Sequence, residues 1–334
     1  MSYNILISTI GRRGTLTKIF KKELNKTGGK VIVTDNSPLA PALYQADKYY
    51  LTPRIDDDRY IAKILKICLA EDIEAIIPLL EKSFSVFNQG RELFAESGIR
   101  LLLSPDRIIG LCQDKYRFYQ YFKEKNISTA ETYLPVELVE ANGSFSFPLF
   151  IKPRQGQGST RTFRINNLTE LNFFINYLND SIVQEYIEGE EYTIDLLSDF
   201  EGRVLSAVPR KRIEVRAGEV SKAVTVKNKE LINMAVKIIE GLGVIGPSNL
   251  QVKVLPDGEI KVIEINPRFG GGVPLSYQAG VNYPQLIVRM MKGEKIEPFI
   301  GEFKEGLAML RYDTPLFKNI NELTGVNDDT SSNF

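Results

Sequence analysis

The chain has 334 residues, 43% of them hydrophobic and 25% charged, with 42 basic residues balanced by 42 acidic ones. This composition predicts a globular protein of about two domains and supplies no net field to attract nucleic acid or an acidic membrane. Histidine is absent, which excludes Ser-His-Asp and Cys-His nucleophilic machinery and His-ligated zinc, while Cys68 and Cys112 offer neither metal spacing nor a disulfide framework. The N-terminus shows no basic leader with a long apolar stretch, and no segment approaches the ~20 apolar residues of a membrane span. The expected compartment is cytoplasmic.

From the start, strand-like and helix-like segments alternate: YNILIST, TLTKIFKKELNKTG, KVIVTD, DKYYLTP, RYIAKILKICLAED, EAIIPLL, SVFNQGRELFAESG and IRLLLS. That alternation predicts a parallel, Rossmann-like α/β layer over residues 1–105. Gly11 and Gly14 fall where a phosphate-binding turn sits in such folds, and Asp35 ends the second strand as a ribose-binding acid would. Thr9 stands where the first glycine of G-x-G-x-x-G is needed, so a plain βα turn is expected there and a nicotinamide-dependent enzyme is the weaker alternative. A helix is predicted over SPDRIIGLCQDKYRFYQYFKEKN, with Ser104 as N-cap and Pro105 in the first turn.

Composition then shifts toward strands and glycine loops. FPLFIKP running into RQGQGSTRTFRI predicts a β-hairpin with an oversized tip, followed by the helix NLTELNFFINYL and the strand SIVQEYI. EGEEYTIDLLSD and VLSAVPRKRIEV flank an FEGR turn, and Lys222 follows in the loop AGEVSKAV. The helix NKELINMAVKIIEGLG precedes a second hairpin, SNLQVKVLPDGEIKVIEINP, turned at Asp257 and Gly258. The polar end GVNDDTSSNF is expected to be disordered.

Three stretches carry chemistry. In RQGQGST, glycines interleaved with small polar residues directly after Lys152 would let backbone N–H groups close over phosphate oxygens beside a lysine point charge; a mobile surface hairpin is the alternative. In VQEYIEGEEYTID, an extended segment exposes backbone groups at Glu185 and Ile187 with the spacing of a purine edge, and a carboxylate further on could accept ribose hydroxyls. In EIKVIEINPRFGGG, period-two alternation turns Ile263 and Ile265 to one face and the oxygen ligands Glu264 and Asn266 to the other. Arg268 and the glycines at 270–272 then form a loop able to approach an anion.

The succession of a helix lysine, a strand lysine before a glycine loop, E-x-I-x-G-x-E, Q-x-K and E-x-N-P-R resembles the ATP-grasp superfamily. The similarity is strongest to the carbamoyl-phosphate-synthetase-like carboxylate-amine ligases and extends over residues 1–312. It implies an α/β ATP-grasp fold: a Rossmann-like pre-ATP-grasp domain (1–105), two α+β subdomains enclosing ATP, and a partly disordered tail (313–334). The small subdomain with the glycine-rich loop would be 106–187, and the large one with the metal and catalytic residues 188–312.

The resemblance also implies roles. Lys115 and Lys152 would contact ATP phosphates, and the loop Gly156, Gln157, Gly158, Ser159 and Thr160 would close over them. The segment Glu185, Tyr186 and Ile187 would read adenine, with Glu191 on the ribose. Gln251, Glu264 and Asn266 would face Mg²⁺, with Mn²⁺ as a substitute, and Arg268 would be the transition-state arginine. Lys222 and Arg210 or Arg212 are candidates for γ-phosphate and substrate carboxylate, or else solvated edge-strand charges. Gln251 is neutral where relatives often carry a second carboxylate, which leaves one ion or two open. The implied reaction activates a small-molecule carboxylate as an acyl phosphate for attack by an amine, releasing ADP and phosphate, and needs no protein nucleophile. Nucleic acid and membrane are not expected as partners, and a homodimer is allowed. An ATP-grasp kinase or carboxylase, or an ATP-binding regulatory protein, is the alternative reading.

Overall fold

The computed structural model describes residues 3–140, 145–156, 158, 160–216 and 218–324. The chain forms two compact units, one built from residues up to Asp106 with Val281–Pro298 and the chain from Tyr312 on, the other from Arg107–Gly280 with Phe299–Arg311. The predicted tail segment 325–334 lies outside the described residues.

In the first unit, β1 (Asn4–Ser8), β2 (Val31–Asp35), β3 (Lys48–Leu51), β4 (Ile73–Pro78) and β5 (Arg100–Leu101) make a sheet of order β3-β2-β1-β4-β5. All its pairings are parallel. Strands buried on both faces read as continuous apolar runs. Ile5, Leu6, Ile7, Val31, Ile32, Val33, Ala75, Ile76 and Ile77 are accordingly buried. The parallel layer expected from strand and helix alternation is therefore present. At the turn after β1, Asp35 accepts hydrogen bonds from the backbone N–H of Gly11 (2.9 Å) and of Ser37 (3.1 Å). The acid that a dinucleotide site would point at ribose thus ties down its own βα turns.

The second unit contains two antiparallel sheets. β6 (Thr132–Tyr133), β7 (Leu149–Pro153), β8 (Phe163–Ile165) and β9 (Ser181–Glu185) form a small one of order β6-β9-β7-β8. Leu149, Ile151, Ile165 and Val183 pack there with Leu171 and Leu178 at the helix Leu168–Tyr177. β7 and β8 are the expected hairpin, with Leu149 opposite Ile165.

The larger sheet has the order β14-β13-β10-β11-β12-β16, with β15 beside β11. Its strands are β10 (Glu190–Ser198), β11 (Val204–Arg216), β12 (Glu219–Thr225), β13 (Gly246–Val254), β14 (Ile260–Asn266), β15 (Phe299–Ile300) and β16 (Ala308–Leu310). Helix Lys229–Leu242 packs on β10 and β11 through Leu231, Ala235, Ile238, Ile239 and Leu242, the spacing of one helical face. Asn228 caps its start by accepting from the Leu231 N–H, and Gly243 ends it at φ 73°. None of the described helices is long and apolar enough to cross a membrane.

Two expectations are corrected. The single helix expected over 104–126 is two, Asp106–Gln113 and Lys115–Glu124. Asp114 between them is extended, caps the second helix by accepting from the Tyr116 and Arg117 N–H groups, and forms a bidentate pair with Arg154 at 2.9 and 2.6 Å. That tertiary partner, forty residues away in the chain, breaks a segment whose local propensity is helical throughout. Lys222 lies on β12 rather than in a loop, because β11 continues past Val215 and turns back at Gly218, φ 75°.

Among the glycines after β14, Gly272 also meets a protein neighbour that leaves no room for a side chain. A Cβ built on Gly272 would overlap Cζ and Nε of Arg210 and lie 2.7 Å from its Nη1. This guanidinium cannot swing aside. It is paired with Asp195 (2.8 Å, side-chain exposure 4% and 0%), and Ser276 donates to the same carboxylate at 2.7 Å. Gly272→Ala is therefore expected to cost about 1–3 kcal/mol by overpacking, rising to about 3–5 kcal/mol if the buried pair breaks. Urea unfolding checks this: the midpoint should fall at unchanged slope. Gly110→Ala, where an added Cβ meets nothing within 4 Å, should not lower it.

Candidate functional site

All site residues expected from the sequence fall in the second unit. Along β10, Glu191, Thr193 and Asp195 share one face while Tyr192, Ile194 and Leu196 take the other. Register carries the polar face across the sheet: Thr193 lies opposite Gln251 and Arg210, Gln251 opposite Glu264, and Asn249 opposite Asn266. Glu264 and Asn266 thus stand side by side, as the strand period predicts.

Glu264 Oε1 accepts from Asn266 Nδ2 at 2.9 Å, and that amide also donates to Asn249 Oδ1 at 3.2 Å. Arg268 Nη2 donates to Asn266 Oδ1 and Nη1 to the Phe269 carbonyl, both at 3.3 Å, so the arginine stands beside the E-x-N pair. Glu264 is half-buried and has no ion pair among the described residues. Gln251 Oε1 accepts from Arg212 Nη1 at 3.0 Å, and the same Nη1 donates to Glu191 Oε1 at 2.6 Å.

Lys152, the last residue but one of β7, has 7% exposure and no ion pair among the described residues. Burial lowers its pKa to about 8; the Glu264 carboxylate opposes this, while Lys115 and Lys253 add to it. An unpaired buried ammonium that feels Glu264 is a site for an anion. Lys115 opens its helix and donates from Nζ to the Gly156 carbonyl at 2.8 Å, which ties the glycine loop to the helix start. Gly156 and Gly158 have φ 112° and 76°, and Gly218 at the tip of the β11–β12 hairpin lies so close to Gly158 that its Cβ would be 2.5 Å from the Gly158 carbonyl oxygen. Thr160 is exposed, and Gln157 and Ser159 lie outside the described residues.

At the end of β9, Glu185 pairs with Lys261 at 2.5 Å and accepts from the Glu131 N–H at 3.0 Å, and its own N–H donates to the Glu131 carbonyl at 2.9 Å. The Ile187 carbonyl accepts from Lys253 Nζ at 2.7 Å, while its N–H has no partner among the described residues. Tyr186 carries Arg164 over its ring at 4.5 Å and Lys253 at 5.7 Å. Sequence reasoning gave Lys253 and Lys261 no role. The signal was present, because Lys253 is two residues past Gln251 and Lys261 is its register partner. Lys222 pairs with Glu214 at 2.6 Å, both side chains at least 40% exposed.

The donor set fits a triphosphate with a divalent cation. Glu264, Asn266 and Gln251 present oxygen donors suited to Mg²⁺, Lys152 is a buried uncompensated cation, and Ile187 holds an open N–H at a strand end. Among the described residues no three Asp, Glu, Cys or His side chains converge on a cation site. Carboxylate ligation therefore rests on Glu264.

A two-sheet unit with a glycine loop, a buried strand lysine and an E-x-N face, in a chain that also carries a parallel α/β layer, is the arrangement of the ATP-grasp fold. The chain has that fold, and its sequence is similar to carbamoyl phosphate synthase large chains. Residues 5–102 match the family model for a PylC-like N-terminal domain, and residues 177–314 that for ATP-grasp in the biosynthetic pathway with Ter operon. The chain is 25% identical over 307 residues to the carbamoyl phosphate synthase arginine-specific large chain of Geobacillus stearothermophilus, covering 86% of this chain and 29% of that one. It thus spans under a third of this relative's length. The biotin carboxylase domain of Hydrogenobacter thermophilus 2-oxoglutarate carboxylase, solved with MgADP and bicarbonate, superposes with TM-score 0.73 at 17% identity, covering 92% of this chain and 74% of that one. N5-carboxyaminoimidazole synthetase from Staphylococcus aureus gives TM-score 0.71 at 18% identity, over 89% of this chain and 79% of that one. These two likenesses bear on fold.

Proposed function

We propose that the chain is a cytoplasmic ATP-dependent carboxylate-amine ligase acting on small molecules, with 106–187 and 188–312 as the subdomains that hold ATP. The observation that carries this reading is the pairing of one uncompensated carboxylate, Glu264, with one uncompensated buried cation, Lys152, in a chain that has no histidine. Lys115 and Lys152 hold the phosphates under the glycine loop 156–160. The Ile187 N–H and the Glu185 to Ile187 backbone meet the adenine edge, and Glu191 meets the ribose. Glu264 and Asn266 would hold Mg²⁺, whose chemistry when bound is to neutralise phosphate charge. Arg268 faces the transferring group. Lys222 is left as a hairpin ion pair.

The substrate carboxylate oxygen attacks the γ-phosphorus, a P–O bond forms as the bond to the ADP oxygen breaks, and ADP leaves. The amine nitrogen then attacks the acyl carbon, the C–N bond forms, phosphate departs with the C–O electrons, and the ammonium proton passes to solvent. Positioning and charge neutralisation carry both steps, so no protein nucleophile is needed. Measuring ADP release over carboxylates crossed with amines tests the reading. Release should require a carboxylate, amide should form only with an amine, and hydroxylamine should trap the activated acid. Equal release with and without every carboxylate would favour an ATP-binding regulator instead.

Lys152 makes a pH prediction. Its folded pKa, about 8, lies below a lysine's usual 10.5, so between those pH values the unfolded chain binds more protons and this group's contribution to stability rises with pH. A bound triphosphate reverses the shift, because its charge favours the ammonium. Nucleotide binding near pH 8 should therefore take up a proton, and affinity should fall as pH rises through that value. Calorimetry in two buffers of different ionisation enthalpy measures the uptake. Lys152→Met should abolish it.

A further inference from the structure

Arg212 occupies an unusual position on the polar sheet face. Its Nη1 bridges Glu191 Oε1 at 2.6 Å and Gln251 Oε1 at 3.0 Å, so one guanidinium nitrogen joins side chains from β10 and β13, with β10 lying between β11 and β13. The side chain is 8% exposed, against 36% for Glu191. Burial pushes this guanidinium below its usual pKa; Glu191 acts against that, and Glu264 is near enough to do so as well. Arginine stays charged in proteins regardless. A permanent positive charge therefore sits against the two oxygens that a second divalent ion beside Glu264 would have to use.

The rest of the face agrees. Asp195 is neutralised by Arg210, while Glu191 is taken by Arg212 itself. Gln251, directly opposite Glu264 in register, brings no charge. A divalent ion between Gln251 and Glu191 would lie beside a guanidinium, with Glu264 already given to the first ion and no further uncompensated carboxylate among these residues to offset the repulsion. Arg212 Nε is buried and has no hydrogen-bond partner. A buried donor lacking an acceptor is costly, and a phosphate oxygen is the kind of acceptor that relieves it.

We infer that Arg212 is a built-in cation in the place of a second divalent ion: this face takes one divalent cation, on Glu264 and Asn266, and supplies the neighbouring positive charge itself. The inference rests on the ATP-binding reading proposed above. It makes Arg212 a phosphate-facing charge and removes it as an anchor for the substrate carboxylate.

Counting Mn²⁺ on the full chain with the β,γ-imido analogue of ATP tests it, by equilibrium dialysis and electron paramagnetic resonance. The wild-type chain should hold one Mn²⁺ with the six-line spectrum of an isolated ion. The double variant Arg212→Met with Gln251→Glu should hold two and show the broadened spectrum of a coupled pair. Two ions per wild-type chain would overturn the inference, and that count stands even if the double variant does not fold. A folded double variant that binds the analogue with a single ion would overturn it too, since Arg212 would then not be what keeps the second ion out. Failure of the wild-type chain to bind the analogue at all, read separately by calorimetry, would overturn this inference together with the ATP-binding reading, whereas analogue binding with two ions would overturn this inference alone.

Discussion

Arg268→Ala and Arg268→Lys are each expected to lower kcat by at least about a hundredfold, while ATP dissociation measured by calorimetry shifts little. Pro267 restrains the backbone where β14 ends, and the Arg268 N–H returns to the Asn266 carbonyl at 2.8 Å, which sets the side chain beside the E-x-N pair. Two of its guanidinium contacts there, to Asn266 Oδ1 and the Phe269 carbonyl, are long at 3.3 Å. Bonds of that length yield to a better acceptor when one arrives. A guanidinium can meet a transferring phosphoryl group and an incoming carboxylate with two parallel N–H donors, and a lysine cannot reproduce that fork. The loss should therefore fall on kcat. A rise in KM alone would mean ground-state binding only, and near-normal kcat in a folded Arg268→Ala chain would reduce the residue to a loop anchor.

Glu264→Ala is expected to abolish Mg²⁺-dependent ATP use while moving the melting temperature by no more than about 2 °C, the scale of a change under about 1 kcal/mol. The carboxylate accepts one hydrogen bond, from Asn266, and has no ion pair among the described residues, so its removal strands no salt-bridge partner. Buried ion pairs behave otherwise, and losing one member of the Arg210–Asp195 pair should cost about 3–5 kcal/mol. The contrast separates the two acids experimentally. Asp195→Ala should melt early; Glu264→Ala should melt normally and fail with nucleotide. An early-melting Glu264→Ala that retains ATP turnover would remove the metal assignment.

Lys152 connects these effects. Glu264 is the one group pulling the lysine toward its charged form against burial, so Glu264→Ala should deepen the Lys152 pKa depression and move proton uptake on nucleotide binding to lower pH. That shift is readable in the calorimetry proposed for the wild-type chain and does not depend on turnover.

Much of this protein follows from local pattern. Continuous apolar runs separated by amphipathic helices determine the parallel layer, since such strands need cover on both faces. Period two along EIKVIEIN places Glu264 and Asn266 on one face whatever the strand pairs with, and the position of Lys152 before a glycine loop needs only the chain order. The total lack of histidine restricts the chemistry before any fold is known. Tertiary structure decided the rest, because partners distant in sequence outweigh local preference. Arg154, forty residues from Asp114, splits a segment that reads as one helix. Gly272 lies against Arg210, and Arg212 is drawn onto Gln251 and Glu191 from a strand whose spacing to either is set by sheet register alone. Charge compensation across four strands is a property of that register, so which carboxylate stays free for a cation could be read only once the strands were paired.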